Sequence, residues 1–545
     1  MMGVAASVAP ASVPEPLVSA LQGPVAPWGR WRTVLLVALV LLGLWLRLRG
    51  LSAEGFADDE IHKWLAVNRY LHGDFGGDDI EHPMLMKLLI TACLLIGRQL
   101  AWAPETMTRL PNVLFGTLTI WATAVLGRRL FGRSVGLISA GLAACSTTLI
   151  GYQRIAKEDT LLGFFLMLML LFLCEAKVAA DDGRTRDQSR SEILCAVALG
   201  AMLASKYFLF FAPIPVLAYL CLLPTGTAWR ISWKRWAVLL AIAFATFAAL
   251  NWTPFMPSSW RYGLDYMAEK KTISGSLFFA GGLYHNLPSY WLAGTPPWFY
   301  FVFYGVKFGP LTVALAIVGF ALSLWRREPA DRVLLTWMLW WLLILCASGS
   351  KWGRFTLSFT PAFLLCAAHG LVESIRMLRR PQLGKALIPI AGILVAGLEL
   401  RVALEHFPHY RLYVNALGGG DDAVEWYFPH CDYFDTGLRE ALAHVARTAE
   451  PGAEVVSEVD WPVRYYLDRF GRADLTATML RPEVACASGK VCYVVVQTGR
   501  LYFANQAALE NLATRTPWYV EPVNGRPTVR IYRLAPGEHP FPAQS

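Results

Sequence analysis

Long apolar runs alternate with short polar segments from residue 33 to residue 401. A membrane-spanning helix needs about 20 predominantly apolar residues. The run 192–223 is too long for one span and is interrupted at Ser205-Lys206-Tyr207, so it predicts two short helices. The other predicted spans are 33–50, 108–130, 133–152, 159–178, 237–252, 300–325, 333–347, 357–375 and 384–401. This pattern predicts an all-α polytopic membrane protein.

Beyond residue 405 the pattern changes to short strand-like runs that alternate with helical patterns. The strand-like runs are 454–459, 491–497 and 528–534. Such alternation is typical of a small α/β domain. Cys486 and Cys492 lie close together in it, and a disulfide is one of two open alternatives. We therefore expect a disordered cytoplasmic segment 1–32, a transmembrane domain 33–405 with a first external loop 51–107, and an extracytoplasmic α/β domain 406–545.

Composition and charge agree with this division. The chain of 545 residues is 55% hydrophobic and only 16% charged, as expected for a membrane protein with a soluble portion. The net charge of +9 comes largely from basic clusters in short gaps between apolar runs, which marks cytoplasmic loops. No basic face outside the membrane is evident in the sequence, which argues against nucleic-acid binding.

The basic clusters also set the predicted topology. If 85–101 were a full crossing, the basic segment 181–190 would move to the outside, so we expect a juxtamembrane or partly inserted helix at 85–101. This gives about eleven spans, and one or two further helices would raise the number to about thirteen. The acidic first loop and the C-terminal domain then lie on the same, outer side.

Polar residues next to the predicted spans gather on that outer side. Charged groups at such positions are costly and often functional. They are Asp58, Asp59, Glu60, Glu81, His82, Arg154, Lys157, Glu158, Asp159, Lys206, Tyr207, His285, Lys351 and Arg354. The combination suits group transfer from an anionic lipid, with a carboxylate as general base and with arginine and lysine on the phosphate.

Each feature also has a structural interpretation. The acidic residues 58–60 and 158–159 can cap helices, and His82-Pro83 can begin one. Lys351 and Arg354 can extend to the membrane interface, and His285 can be structural. The aromatic residues of 253–299 can form a membrane-interface belt or stack on sugars.

An ordered series of short motifs is similar to a known superfamily. The motifs are Asp59-Glu60, Glu81-His82-Pro83 with Lys87, Thr108–Leu118 with Arg109, Arg128–Gly132, Gln153–Asp159, Ala204–Tyr207, Gly349–Phe355 and Phe407–Gly420. The series resembles the protein O-mannosyltransferases and the lipid A aminoarabinose transferases, which are GT-C glycosyltransferases, and it covers roughly residues 33–420. Met84 and His82 depart from the family pattern, since the mannosyltransferases favour a second proline and the aminoarabinose transferases a lysine at these places.

The resemblance implies a function and a set of roles. It implies inverting transfer of a monosaccharide from a polyprenyl-phosphate donor on the outer face of the plasma membrane, with a protein, a lipid or an envelope glycan as acceptor. The implied catalytic residues are Asp59, Glu60 and Asp159. The expected substrate-binding residues are His82, Lys87, Arg109, Arg154, Lys206, Tyr207, His285, Lys351 and Arg354. The cofactor stays open; if it is a divalent metal ion, Glu81 and His285 are the expected ligands.

Two other functions remain open at this stage. A transporter or flippase of lipid-linked sugars would use similar residues without transfer chemistry. Transporters usually contain repeated halves and charges near the membrane midplane, and this sequence has neither pattern. A catalytically idle assembly subunit could use the same fold, because a fold alone does not determine function.

Overall fold

The computed structural model is predominantly helical and describes residues 21, 27–76, 81–224, 229–262, 264, 275–378, 380–486 and 489–542. The predicted disordered segment 1–32 falls largely outside the described residues. In the first 250 residues the helices are α1 (Arg30–Leu48), α2 (Asp58–Tyr70), α3 (Met84–Gln99), α4 (Pro104–Phe131), α5 (Arg133–Cys145), α6 (Thr147–Tyr152), α7 (Asp159–Asp181), α8 (Thr185–Ser205), α9 (Pro213–Leu222) and α10 (Trp233–Leu250).

The second half of the chain adds further helices and two sheets. The helices are α11 (Phe299–Lys307), α12 (Pro310–Arg326), α13 (Pro329–Ala347), α14 (Thr360–Arg376), α15 (Pro381–Glu405), α16 (Val424–Tyr427), α17 (Pro429–Tyr433), α18 (Leu438–Thr448), α19 (Asp460–Arg469) and α20 (Gln506–Ala513). The strands are β1 (Ser276–Phe279), β2 (Gly282–His285), β3 (Glu454–Ser457), β4 (Thr476–Met479), β5 (Cys492–Gln497), β6 (Tyr519–Val523) and β7 (Arg526–Leu534).

Among the described residues, six helices are long and apolar enough to cross a membrane. They are α1, α4, α7, α10, α13 and α15. Shorter apolar helices at Arg133–Cys145, Leu209–Leu222 and Pro310–Arg326 accompany them. The prediction of a predominantly helical, multi-pass membrane protein is confirmed. Helix α3 has 16 residues, and the partly inserted state expected for 85–101 stays a prediction.

The predicted break within 192–223 is confirmed. Helix α8 ends at Ser205, Lys206 is extended, and α9 begins at Pro213. Two predicted single helices are wrong, because the structure divides both. The run 300–325 divides before Pro310, which cannot donate the backbone hydrogen bond of a continuous helix. The run 133–152 divides at Ser146, whose hydroxyl accepts from Leu149 N at 3.3 Å and caps α6.

Glycines allow the helices to pack closely. A Cβ at Gly319 of α12 would lie 1.9 Å from the carbonyl oxygen of Cys366 in α14. A Cβ at Gly370 of α14 would lie 2.2 Å from the carbonyl oxygen of Leu315. Small residues at such contacts let membrane helices approach, because packing rather than water exclusion drives their association.

The C-terminal residues form the second architecture. A five-stranded sheet has the order β4-β3-β5-β7-β6, with β3 parallel to β4 and β5, and β7 antiparallel to β5 and β6. Helices α18 and α19 pack on this sheet through apolar side chains. The predicted strand-like runs correspond to β3, β5 and β7. A disulfide joins Cys486 to Cys492, which decides between the two alternatives that the sequence left open.

We expect Gly319→Ala to destabilise the protein, because its Cβ must push α12 away from the α14 backbone. Overpacking of this kind costs about 1–3 kcal/mol. The matched control is Gly397→Ala, since a Cβ at Gly397 meets nothing within 4 Å. Thermal unfolding of the detergent-solubilised variants measures the difference. Equal midpoints for the two variants would contradict the close contact between α12 and α14.

Candidate functional site

The first turn of α2 carries three consecutive carboxylates, Asp58, Asp59 and Glu60. Negative charge is favourable at a helix N-terminus, where backbone N–H groups lack partners. Successive helical residues point about 100° apart, because a turn takes 3.6 residues. The three side chains therefore reach three different sets of partners.

Glu60 is fully buried and makes four contacts, all to donors. Its carboxylate accepts from Arg109 Nε at 2.8 Å and Nη2 at 2.6 Å, and from the backbone N–H groups of Ala57 and Ala156. Arg109 also donates to three carbonyls of the first loop, those of Leu51, Glu54 and Gly55. Both residues were predicted to act on substrate. In the structure, the contacts of Glu60 and Arg109 instead hold the first loop to the helical bundle.

Asp59 is the most exposed carboxylate among the five acidic residues at the starts of α2 and α7. Its side chain is 28% exposed, whereas Asp58 is 19% exposed and Glu60, Glu158 and Asp159 are buried. Asp59 forms an ion pair with Lys157. Four residues further along α2, Lys63 pairs with Glu158 at 2.9 Å. Lys63 was missed from the sequence, although its i+4 spacing from Asp59 puts both on one helix face.

Asp159, the first residue of α7, receives two cations from distant segments. Lys206 Nζ lies 2.5 Å from Asp159 Oδ1, and Arg354 Nε lies 3.9 Å from Oδ2. Lys206 comes from the break after α8, where that helix ends inside an apolar run. Its ammonium also lies over the ring of Phe355, 4.3 Å from the centroid. The buried Asp159 thus fixes two basic side chains.

Arg354 is the least committed cation of the site. Among the described residues it makes no hydrogen bond, and its guanidinium lies over Trp352, 4.6 Å from the ring centroid. Arg354 and Lys157 line one small cavity together with Tyr152. Gly353 is required beside it, because a Cβ there would lie 2.1 Å from the Tyr152 hydroxyl. Arg354 is therefore available to a ligand.

Ion pairs connect the cations and carboxylates of this region into one cluster. The ion pairs described above join four cations, Lys63, Lys157, Lys206 and Arg354, to three carboxylates, Asp59, Glu158 and Asp159. His82 Nδ1 lies 3.8 Å from Glu158 Oε2. Burial, the largest effect, and nearby lysines lower the pKa of His82 well below its usual value, so it adds no charge at neutral pH. Burial, the largest effect, and Arg354 lower the pKa of Lys157 well below its usual value, and Lys157 and Arg354 both line a cavity.

Other expected ligands tie the neighbouring segments together. Lys87 Nζ donates to the carbonyl of His82 at 3.1 Å. The hydroxyl of Tyr207 accepts from Asn251, whose side-chain oxygen accepts from Met84 N. These contacts join the start of α3 to the break after α8. Tyr207 is 37% exposed, so one face of its ring remains accessible.

Two predicted phosphate ligands are engaged with backbone instead. Arg154 donates to the carbonyls of Arg47, Arg49 and Gly50 and so caps the C-terminus of α1. Lys351 is fully buried and donates to the carbonyls of Thr295 and Ser348. The Lys351 ammonium is therefore already satisfied by backbone carbonyls, and its role as a substrate ligand stays a prediction.

The two expected metal ligands make separate contacts. The hydroxyl of Tyr262 donates to Glu81 at 3.2 Å. His285 is exposed and stacks on Tyr290, with the ring centroids 5.3 Å apart, and also contacts Phe503. In the part of the chain that the structure describes, no group of three or more His, Cys, Asp or Glu side chains could hold a metal ion. A divalent metal at Glu81 and His285 stays a prediction.

The third carboxylate of α2, Asp58, is held by residues that the sequence did not reveal. Arg500 Nη2 lies 2.9 Å from Asp58 Oδ2 and 2.7 Å from Asp435 Oδ1. Asp435 in turn accepts from the backbone N–H of Asp58 at 2.8 Å. Burial alone would raise the pKa of Asp58, but Arg500 and Lys157 lower it to about 2. No local signal marks Arg500, because it follows Asp58 by 442 residues.

Comparisons with known proteins agree with the sequence motifs. Residues 81–252 match the family model described as dolichyl-phosphate-mannose-protein mannosyltransferase. No curated protein sequence matches the chain. Among solved structures, the chain is similar to apo ArnT from Cupriavidus metallidurans, with a TM-score of 0.52 and 15% identity over 92% of this chain and 97% of that one. For the same protein bound to undecaprenyl phosphate, the TM-score is 0.53 and the identity is 16%, covering 93% of this chain and 98% of that one.

A more distant similarity supports the same fold. The apo oligosaccharyltransferase of Archaeoglobus fulgidus has a TM-score of 0.51 and 13% identity, covering 82% of this chain and 64% of that one. The fold is thus the one shared by these membrane proteins. The predicted resemblance to GT-C glycosyltransferases, specifically the O-mannosyltransferases and the lipid A aminoarabinose transferases, is confirmed.

We expect Glu60→Gln to prevent stable folding, whereas Asp59→Asn folds. All four groups that contact the Glu60 carboxylate are hydrogen-bond donors. The NH₂ group of a glutamine would therefore face another donor, and the buried Arg109 would lose its counter-charge. Breaking a buried ion pair in this way costs about 3–5 kcal/mol. Membrane yield and thermal midpoint of the two variants measure the difference. A Glu60→Gln protein as stable as the wild type would contradict the structural role of Glu60.

Proposed function

We propose that the chain is a membrane glycosyltransferase that moves a monosaccharide from a polyprenyl-phosphate donor to an acceptor on the outer face of the plasma membrane. The mannosyltransferase family match supports transfer chemistry. ArnT, which shares the fold, has been solved with undecaprenyl phosphate, and this supports a lipid-phosphate donor. The comparisons give no support to a transporter. The acceptor, whether protein, lipid or glycan, stays open.

The single observation that carries the proposal is the contrast between Asp59 and the residues around it. Asp59 is the most exposed of the carboxylates in the described ion-pair cluster, and its partner Lys157 lines a cavity with Arg354, while Glu60, Glu158 and Asp159 are buried in ion pairs. Transfer to a hydroxyl or amine needs a base on the acceptor side and cations on the phosphate side. These two requirements match Asp59 and the Arg354 cavity.

The proposed reaction is a single displacement. Asp59 accepts a proton from the acceptor hydroxyl or amine, and the freed lone pair attacks the anomeric carbon. The new glycosidic bond forms as the bond from that carbon to the phosphate oxygen breaks, so the configuration inverts. The bonding electrons leave with the polyprenyl phosphate. No redox partner is required, and the proton and the negative charge are both accounted for.

The basic residues stabilise the leaving phosphate. Arg354 and Lys157 line the cavity, and Lys206 lies beside them through its pair with Asp159. A guanidinium can bind two phosphate oxygens at once, and Arg354 has its donors free for this geometry. Asp159 then acts as a positioning residue that orients Lys206 and Arg354. Its burial keeps it away from the acceptor.

We propose an orientation in which the site and the five-stranded sheet lie outside the cytoplasm. The basic segments at Arg128–Arg133, 181–190 and 376–385 lie at the helix ends opposite the site, as the positive-inside rule requires. About eleven spans remain the proposed number, with α5, α9, α11 and α12 as short or divided crossings. The disulfide suits an oxidising compartment.

We expect Asp59→Asn to reduce transfer by about a hundredfold or more while the protein still inserts in the membrane. Asparagine keeps an acceptor oxygen for Lys157 but cannot take the proton, and a lost general base costs on this scale. The matched control is Asp74→Asn, which makes the same change in the same loop at a side chain that is 58% exposed. Sugar transfer from a radiolabelled polyprenyl-phosphate donor measures both. Wild-type transfer by Asp59→Asn would remove this residue from the reaction.

We expect Arg354→Ala to lower kcat/KM for the donor by at least about tenfold, because a charge-assisted phosphate contact contributes on the order of 1.5–3 kcal/mol. Arg354→Lys keeps the charge but loses the paired donors, so it should recover only part of the activity. Arg401→Ala is the control, since Arg401 is 75% exposed and pairs with Glu405 on the surface. Donor titrations measure all three. Unchanged kinetics in Arg354→Ala would exclude its loop from the phosphate site.

A further inference from the structure

A second cavity, of about 920 Å³, lies between α1, α5, α14 and α15. Its walls are largely apolar and include Leu35, Leu39, Ile138, Ile388 and Ile393. It opens at the N-terminal end of α1, near Arg32. The proposed transfer site lies beyond the other end of that helix, where Arg154 caps Gly50. The 17 residues from Arg32 to Arg49 correspond to about 26 Å of helix, so the two cavities are separate.

Cations surround the opening of this groove. Arg32, Arg376, Arg380 and Lys385 all line it. Arg376 pairs with Glu373 at 2.6 Å. In the described part of the chain, Arg32, Arg380 and Lys385 form no ion pair. Three positive charges without counter-charges converge on one opening at the membrane surface, and this arrangement favours an anionic headgroup.

The interior of the groove fits a hydrocarbon chain. It extends along α15 from Pro381 to Ala396, about 22 Å of helix, which exceeds the roughly 15 Å of one bilayer leaflet. At its inner end α5 and α15 approach each other, because a Cβ at Gly392 would lie 2.8 Å from Ile138 and one at Gly141 3.4 Å from Ala396. The groove is thus narrow at its inner end.

We propose that this groove binds one anionic phospholipid, with the headgroup phosphate on Arg32, Arg380 and Lys385 and an acyl chain along α15. A free inorganic phosphate would use the cations but not the apolar depth. A zwitterionic lipid would use the depth, but its own positive charge would oppose the cluster. The combination of unpaired cations and a long apolar groove selects a lipid with net negative charge. This site lies at the end of the bundle opposite the transfer chemistry.

The test is lipid binding to the purified full-length protein in detergent, followed by native mass spectrometry. Phosphatidylglycerol and phosphatidylcholine with identical acyl chains are titrated separately. We expect one phosphatidylglycerol to bind with at least tenfold higher affinity than phosphatidylcholine. Equal affinities of the wild-type protein for the two lipids would overturn the proposal, whatever the variants do.

Two groove variants separate headgroup from tail. The triple variant Arg32→Ala/Arg380→Ala/Lys385→Ala should lose the preference for phosphatidylglycerol. Gly384→Leu should lose binding of both lipids, because a Cβ at Gly384 meets only Ile375 at 3.9 Å and a longer side chain fills the groove without displacing a helix. Retention of the tenfold preference by either variant would overturn the proposal.

The matched control removes three exposed arginines elsewhere at the same end, Arg186 and Arg190 at the start of α8 and Arg230 before α10, as Arg186→Ala/Arg190→Ala/Arg230→Ala. It changes net charge equally, so it should keep the wild-type preference. If this control also lost the preference for phosphatidylglycerol, the preference would come from the overall positive charge of this end of the protein, and the proposed site would be overturned.

Two other occupants are distinguished by the same measurement. If undecaprenyl phosphate binds in preference to phosphatidylglycerol, and Gly384→Leu abolishes that binding, the groove is a polyprenyl site. Binding of phosphatidylglycerol only after deletion of residues 1–26 would make the N-terminal segment the natural occupant. Either result would overturn the proposal of an anionic phospholipid.

Discussion

The buried ion pair between Glu60 and Arg109 is the interaction on which the rest of the site depends. Burying two charges costs several kcal/mol per ion unless hydrogen bonds satisfy both groups. Here the carboxylate accepts four donors, and the guanidinium reaches three loop carbonyls besides. One acceptor contact goes to the backbone N–H of Ala156. The same carboxylate therefore joins the first loop, α4 and the loop before α7.

This connection sets the geometry of the groups that are proposed to react. Asp59 adjoins Glu60 in the chain, and Lys157 adjoins Ala156. Because Glu60 fixes both backbones, the Asp59–Lys157 pair forms where these two segments meet. Asp159 follows two residues later and brings in Lys206 and Arg354. A precise site on loops becomes possible only because a buried, fully satisfied pair holds the loops rigidly.

Whether the sequence could predict a residue of this site depends on whether that residue pairs with a side chain or with the backbone. Asp59, Asp159, Lys206 and Arg354 were identified because charges next to apolar runs stand out, and the structure gathers them. Arg154 and Lys351 look the same in sequence, yet their partners are backbone carbonyls, and no sequence pattern reveals a carbonyl. The lengths of the apolar runs predicted the multi-pass helical fold. They did not predict the division before Pro310, because the apolar run continues across it.

Arg500 is a residue of the site that could not be predicted from the sequence. It shows that the sheet-containing C-terminal part contributes to the site. It lies in the loop after β5 and holds Asp58 and Asp435. The N-terminus of α2 is therefore fixed from two sides, by Arg109 of the helical bundle and by Arg500 of the C-terminal part. The helix end that carries Asp59, the proposed base, loses freedom of rotation because its two neighbours in sequence, Asp58 and Glu60, are both held. Asp59 between them is then presented in one direction, toward Lys157 and the cavity.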